Sequence, residues 1–201
     1  MVPPTLEKVA AVRSALDQRW RAVVVTLAGS GLRVGELLGP SVSDVDFLRK
    51  TIRVERQRLQ FGQLAALKSK TSRRTVPAGQ VVIDELAAHL AAHPSNDALL
   101  LDEWGAPVTY RRWKRLLGEA AREAGVRMTS HGLRHFAASA LISGGASVKQ
   151  VQAFLGHSSA VITLRTYAHL FPGDDDRTRN VLDAALSPFA DSLRTEAASD
   201  G

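Results

Sequence analysis

The apolar pattern of this 201-residue chain changes period once. Through most of the sequence, apolar residues recur at helical spacing in segments closed by glycine or proline. At Thr51 that spacing gives way to alternation: "TIRVERQRL" sets Ile52 and Val54 against Arg53, Arg56 and Arg58. This reads as a strand with a wet, basic face. "KSKTSRRTVP" reads as the turn and return strand of a hairpin or small sheet. One alternating region set among helical ones makes the fold mainly α with a small antiparallel β-sheet, an α+β domain.

The helical segments have legible ends. Thr5 can cap a helix running to about Gln18, with Leu6, Val9, Val12 and Leu16 on one side. "RAVVVTLAG" is a second, very apolar helix ending near "GSG", and "RVGELLGP" is a short one stopped by Gly39 and Pro40. "SVSDVDF" reads as a turn region. Further helices are expected in "VVIDELAAHLAAH", in the basic amphipathic "YRRWKRLLGEAAREAG" and in "HGLRHFAASALISG", the last with Phe136, Ala137, Ala140 and Leu141 as its core side. "VKQVQAFLG", capped by Ser147, and "AVITLRTYAHL" complete the set. Trp104, Trp113 and Phe154 read most simply as core residues. "RNVLDAALSPF" is a candidate last helix, interrupted or ended by Pro188.

Charge is distributed unevenly. The formal net charge is +6, from 26 Lys and Arg against 20 Asp and Glu. From Gly173 onward seven acidic side chains face three basic ones, so the body before that point is the more strongly basic. Twenty of the cations are arginine, whose planar fork suits bidentate phosphate recognition. Nine basic residues and one acidic residue lie between Arg49 and Arg74. That concentration is read as a surface addressing phosphates, in preference to a merely solvated face. With no cysteine, disulfides and thiolate chemistry are excluded. No apolar run approaches the roughly 18 residues a membrane span needs. The start "MVPPTLEKVAAV" lacks a basic segment followed by an apolar one. The expected setting is cytoplasmic, with no membrane partner.

"SHGLRHFAASALISGG" crowds His131, Arg134 and His135 into the first turns of one helix, where residues three and four apart share a face. Groups that are cationic, or can become so, repel one another, so something negative is expected to complete the site. Other polar residues interrupt apolar or glycine-marked segments: Arg33 in "GSGLRVGELLG", Lys70 in "LKSKTSRRTVP", His157 in "FLGHSSA" and Tyr167 in "LRTYAHL". His131 and His135 have a spacing that suits zinc, but there is no "HExxH" and no carboxylate between them, so no metal is expected. There is also no "GxSxG" for a serine hydrolase. Phosphoryl transfer fits better. Two guanidinium groups can hold a phosphodiester and follow charge onto its oxygens, a histidine can add a donor, and a tyrosine hydroxyl can attack phosphorus. A lysine can protonate the departing sugar oxygen. This assignment needs no cofactor.

These stretches resemble the catalytic domain of the tyrosine recombinase, or phage integrase, family. "TLAGSGLRVGELLG" resembles the family's first arginine motif, "HGLRHFAASALISGG" its His-x-x-Arg motif, and "SKTSRRTVP" the hairpin with the catalytic lysine. "FLGHSSAVITLRTYAHL" resembles the second histidine followed, ten residues on, by the nucleophilic tyrosine. The match runs from about Thr5 to Phe171, in the family's order. The resemblance implies that Arg33 and Arg134 grip the scissile phosphate, His131 is a general base or proton carrier, and His157 donates to a non-bridging oxygen. It implies that Lys70, preferred over Lys68, protonates the 5′-hydroxyl and that Tyr167 becomes linked to the 3′-phosphate. Glu36 corresponds to a supporting acid beside the first arginine, while His135 and His169 are expected close behind the site. The implied partner is double-stranded DNA, with a homo-tetramer formed only on DNA by the full-length protein and a monomer in isolation.

The expected organisation is a catalytic domain over residues 1–172 and an acidic tail over 173–201, helical in part and docking in cis or in trans. Full-length members usually carry an N-terminal helical domain that clamps the DNA; because the first catalytic-domain helix begins by about Thr5, that domain is expected to be absent. The implied function is site-specific recombination through a covalent 3′-phosphotyrosine, as in integration of a mobile element. The alternatives left open are chromosome-dimer resolution, a type IB topoisomerase-like enzyme, and a catalytically inactive DNA-binding relative.

Overall fold

A computed structural model of the chain describes residues 2–67, 72–171, 178–187 and 189. Lys68 and Lys70 therefore lie outside the described residues. The elements in chain order are α1 (Leu6–Ala15), α2 (Gln18–Ser30), α3 (Val34–Leu37), β1 (Val45–Asp46), β2 (Thr51–Val54), β3 (Arg56–Arg58), β4 (Leu64–Ala66), β5 (Arg74–Pro77), α4 (Gln80–Ala92), α5 (Tyr110–Glu123), α6 (Ser130–Ser143), α7 (Val148–Leu155) and α8 (Ala160–Tyr167). Single 3₁₀ turns cover Val42–Asp44 and Ala168–Leu170.

Side-chain caps set the helix starts, each satisfying an amide that the helix itself leaves unpaired. Thr5 accepts from the Lys8 amide and opens α1; Asp17 accepts from the Arg19 amide and opens α2. The first helix therefore stops at Ala15, short of the expected Gln18, because Asp17 begins the next one. Val9, Val12 and Leu16 are buried as expected, whereas Leu6 is exposed. Thr109 and Thr129 cap α5 and α6, and Ser147 forms a capping box with Gln150 at α7. α2 is the central helix. It buries Trp20, Val23, Val24 and Leu27 and packs against α1, α4 and α6.

The sheet is antiparallel in the order β1-β2-β5. Ile52 lies between Val45 and Val76, and all three side chains are buried, so one column of apolar residues ties the sheet to the core. "TIRVERQRL" is not one strand. It breaks at Glu55, and β3 leaves the sheet to pair with β4 in a separate two-stranded hairpin. Four of the basic residues of this region are tied to the protein, although the side chains of Arg49, Arg53 and Arg56 remain 86%, 53% and 41% exposed. Arg53 and Arg56 both bond Asp44, Arg58 donates to the carbonyls of Leu38 and Gly62, and Arg74 turns to Glu36.

On α6 the buried residues are Leu133, Arg134, His135, Ala137, Ala138 and Ile142. Of the expected core side, only Ala137 is fully inside. Ala140 is exposed, while Phe136 and Leu141 are part-buried. The stripe lies one step around the helix because Arg134 and His135 take inward positions. Phe136, Ala140 and Leu141 instead line an open apolar groove of about 510 Å³, with Phe154 on its far wall. Trp113 is fully buried, but Trp104 is 74% exposed on a turn held by the Asp102 carboxylate, and its ring is stacked by the Arg112 guanidinium.

The chain divides into two units, Met1–Leu170 and Phe171–Gly201. In the second, residues 178–187 are helical, with Val181, Leu182 and Leu186 exposed. Among the described residues no helix is long and apolar enough to cross a membrane.

Candidate active site

Three chain segments meet at the first turns of α6. The first is the α2–α3 connection. α2 ends on Gly31 in the left-handed conformation (φ +60°), and a Cβ there would stand 2.7 Å from the Phe154 ring. Glycine thus permits both the turn and the close approach of α7. Arg33 follows as the N-cap of α3. Its amide donates to Glu36 Oε2 at 3.0 Å and its Nη1 to Glu36 Oε1 at 2.7 Å. Glu36 is 1% exposed, while the Arg33 side chain is 46% exposed and reaches a cavity.

The second segment is α6. The Arg134 side chain is 2% exposed, and its two terminal nitrogens donate to the carbonyls of Gly31 at 2.5 Å and Leu155 at 2.6 Å. Among the described residues it makes no ion pair. Burial and then the Arg33 charge pull its pKa down to about 10, against the opposing pull of Glu36. It remains a cation at neutral pH, but one without a paired anion. His131, Arg33 and Arg134 line a common cavity of about 410 Å³, with Tyr110 and Lys114 of α5 on another wall. His131 has its pKa lowered by burial and by the Arg134 and Arg33 charges.

The third segment runs from the end of α7 through α8. His157 shares a 2.9 Å hydrogen bond between its Nδ1 and the buried Thr163 hydroxyl. Its pKa is pushed down to about 4 by burial first, then by Arg134 and Arg33. The ring is neutral at pH 7. With Nδ1 held by Thr163, Nε2 is the nitrogen left to face a substrate. Tyr167 ends α8 and is 2% exposed. Its ring lies edge-on to His135 at 5.3 Å between centroids, and His135 lies edge-on to His131 at 4.4 Å. Burial raises the Tyr167 pKa, and the nearby Arg134 charge only partly offsets this. The phenol is therefore protonated in the free protein.

The structure gathers Arg33, Glu36, His131, Arg134, His135, His157 and Tyr167 around one locus. Lys70 lies outside the described residues. His169 sits in the 3₁₀ turn after α8, exposed, with no hydrogen bond or ion pair among the described residues. Two site residues escape a reading of the motifs. Thr163 stands four residues before Tyr167, on the same helix face, which was the available signal. Arg74 shares strand parity with buried Val76, whereas its neighbour Arg73 does not. Glu36 accepts from Arg74 Nη2 at 3.0 Å and is thus shared by two arginines. Burial alone would raise the Glu36 pKa, but Arg74 and Arg33 outweigh it and the net shift is downward. Among the described residues no group of three His, Cys, Asp or Glu side chains is placed to hold a metal ion. The arrangement is a cationic clamp, with Arg134 buried and Arg33 and His131 exposed, and a buried phenol behind it.

The profile of the phage integrase family matches residues 5–173, which contain every residue of this site. The chain belongs to that family. It is 35% identical over 163 residues to tyrosine recombinase XerC of Bifidobacterium longum, covering 78% of this chain and 45% of that protein. Tyrosine recombinase XerC of Mycobacterium tuberculosis is 34% identical over 180 residues, covering 82% and 56%. The chain thus spans about half the length of the curated relatives it matches. Among solved structures, the catalytic domain of bacteriophage HP1 integrase superposes with a TM-score of 0.63 at 18% identity, over 94% of this chain and 97% of that one. The Tn1549 transposon integrase in complex with circular intermediate DNA gives 0.77 at 23% identity, over 92% and 67%. Both share the mainly helical integrase fold with its small antiparallel sheet.

Proposed function

We propose that this integrase-family domain breaks and rejoins double-stranded DNA at specific sites through a 3′-phosphotyrosine on Tyr167. The observation that carries the reading is the convergence of Arg33, His131 and Arg134 on one cavity, with the Tyr167 ring two edge-on ring contacts behind His131. A phosphodiester entering that cavity meets two guanidinium groups, and no carboxylate lines the cavity among the described residues. Arg33 and Arg134 hold its non-bridging oxygens, and His157 adds a donor from Nε2. The Tyr167 oxygen bonds to phosphorus as the bond to the 5′ oxygen breaks. His131 accepts the phenol proton, and Lys70 gives a proton to the departing 5′ oxygen. Attack by a partner strand's 5′-hydroxyl reverses the same steps. The phosphotyrosine conserves the bond, so no nucleotide cofactor is required.

The likeness to proteins named tyrosine recombinase favours strand exchange over topoisomerase-like relaxation. The full-length protein is proposed to act as a tetramer on DNA, with the free chain monomeric.

A nicked suicide duplex, which loses a short oligonucleotide on cleavage, tests the chemistry. The wild-type chain should give a denaturation-resistant adduct that mass spectrometry places on Tyr167. Tyr167→Phe should give none while binding duplex with unchanged affinity. An adduct persisting in that variant would remove Tyr167 as the nucleophile.

A further inference from the structure

Arg74 lies in the stretch that resembles the lysine hairpin but is given no role by that resemblance, yet its side chain makes three hydrogen bonds beside the clamp. Its side chain is 9% exposed. Nη2 donates to Glu36 Oε2 at 3.0 Å, Nε to the Phe154 carbonyl at 2.9 Å, and Nη1 to the Ser72 carbonyl at 3.1 Å. These three bonds join three separate parts of the site. Glu36 is the carboxylate that orients Arg33. Phe154 is in the last turn of α7, three residues before His157, and the next carbonyl, Leu155, is the one that Arg134 takes. Ser72 stands two residues before Arg74, at the entry to β5. The carbonyls at the end of α7 have no partner within the helix and form its negative pole, which favours a cation there.

The backbone opposite makes room for this side chain. Gly156 has a left-handed φ of +66°, and a Cβ there would lie 2.7 Å from Arg74 Nη1 and 2.9 Å from Cζ. Arginine at position 74 and glycine at 156 are sterically matched. Lysine cannot substitute for the fork: a single ammonium does not span a carboxylate and a carbonyl in fixed directions.

We infer that Arg74 is a positioning residue for strand cleavage, holding Glu36, and through it Arg33, in fixed register with the α7 terminus that carries His157. It touches no DNA in this role. The inference rests on the cleavage chemistry proposed above and adds a residue to it.

The test uses the full chain, with duplex affinity, melting temperature and single-turnover cleavage at saturating suicide duplex measured for Arg74→Lys, Arg74→Met and Glu36→Gln. Arg74→Met should bind DNA within about threefold of wild type yet cleave about 100-fold more slowly, and Arg74→Lys about tenfold more slowly. The Arg74→Met, Glu36→Gln double variant should be no slower than the slower single one, because both act through one contact. A duplex with sulfur as the 5′ leaving atom, which needs no protonation, should leave the Arg74 defects in place while restoring Lys70→Ala. Cleavage within threefold of wild type at saturation, or a defect that sulfur restores, would overturn the inference. If Arg74→Met does not fold, Arg74→Lys and Glu36→Gln decide. Lower melting temperatures with an unchanged rate per folded molecule would reduce Arg74 to a stabilising residue. Absence of any adduct in the wild-type chain would strike the proposed function itself.

Discussion

Two buried carboxylates, Asp44 beside the sheet and Glu36 beside α6, each hold two arginines, and they do opposite things with them. Asp44 fills both of its oxygens: Arg53 bonds Oδ1 through two nitrogens, while Arg56, the Ser41 amide and the Ser41 hydroxyl share Oδ2. Arg56 is further tied to the Gly39 carbonyl. The cluster is a closed tie between the Ser41–Asp46 segment and β2–β3. Glu36 instead holds Arg33 by one terminal nitrogen and leaves the rest of that guanidinium on a cavity. Next to it stands Arg134, buried and, among the described residues, bonded only to carbonyls, so among them cations outnumber carboxylates where the cavity opens. Arginine content is the same kind of signal in both places. What distinguishes a site for an anion is cation in excess of carboxylate, held rigidly around empty space.

The largest effect should come from Arg134→Lys. Lysine keeps the charge but cannot hold the Gly31 and Leu155 carbonyls and still offer hydrogen to a phosphate. Single-turnover cleavage should fall by about 100- to 1,000-fold, the range for losing a preorganised transition-state donor. Binding affinity should change far less. A loss of cleavage that saturating protein restores would make Arg134 a binding residue and erase its contrast with the sheet arginines.

Asp44→Asn is the counterpart and should act on stability alone. It removes a buried charge from two arginines that are themselves about half exposed, so water compensates part of the loss. A decrease of about 1–2 kcal/mol in unfolding free energy is expected, read by urea denaturation, with cleavage per folded molecule unchanged. Slower cleavage at equal folded fraction would mean that the sheet network reaches the clamp.

This contrast also marks what the sequence could disclose. The helical elements were legible because their caps and apolar spacing are local: Ser147 with Gln150 and the glycine-ended α2 needed no tertiary information. The motif residues Arg33, His131, Arg134, His157 and Tyr167 were legible as residues because each interrupts an apolar or glycine-marked segment. The destination of a charge was not. Arg53, Arg56 and Arg58 look like a wet basic face in one dimension; the heads stay partly exposed, and only the approach of the Leu38–Asp44 segment shows which acceptors hold them. The break at Glu55 was equally hidden, since "TIRVERQRL" reads well as one strand. On α6 the apolar count was right but the phase was wrong, because no local rule says that Arg134 and His135 displace Ala140 and Phe136 from the interior.

Acid should separate the two regions by a smaller margin. His135 and His157 each have a pKa near 4, chiefly through burial, against an ordinary value of 6.5. Below pH 6.5 the unfolded chain binds protons that these rings refuse, so stability is complete above that value and declines as pH falls toward 4. Asp44 is an acid whose pKa lies below 3.8: burial pushes it up, but the Ser41 and arginine bonds prevail. Its contribution is present above 3.8 and is lost only as pH falls through the lower folded value. Between about pH 6.5 and 4.5 the clamp region should therefore loosen while the sheet tie holds. Amide hydrogen exchange, corrected for its intrinsic pH dependence, reads this directly. Protection in α6 and α7 should drop roughly tenfold across that interval while β2 and β5 keep theirs, the discount from a full shift reflecting partial solvent access. Equal losses in both regions would show that the domain opens only as a whole, and the contrast would then be one of chemistry without a matching difference in local stability.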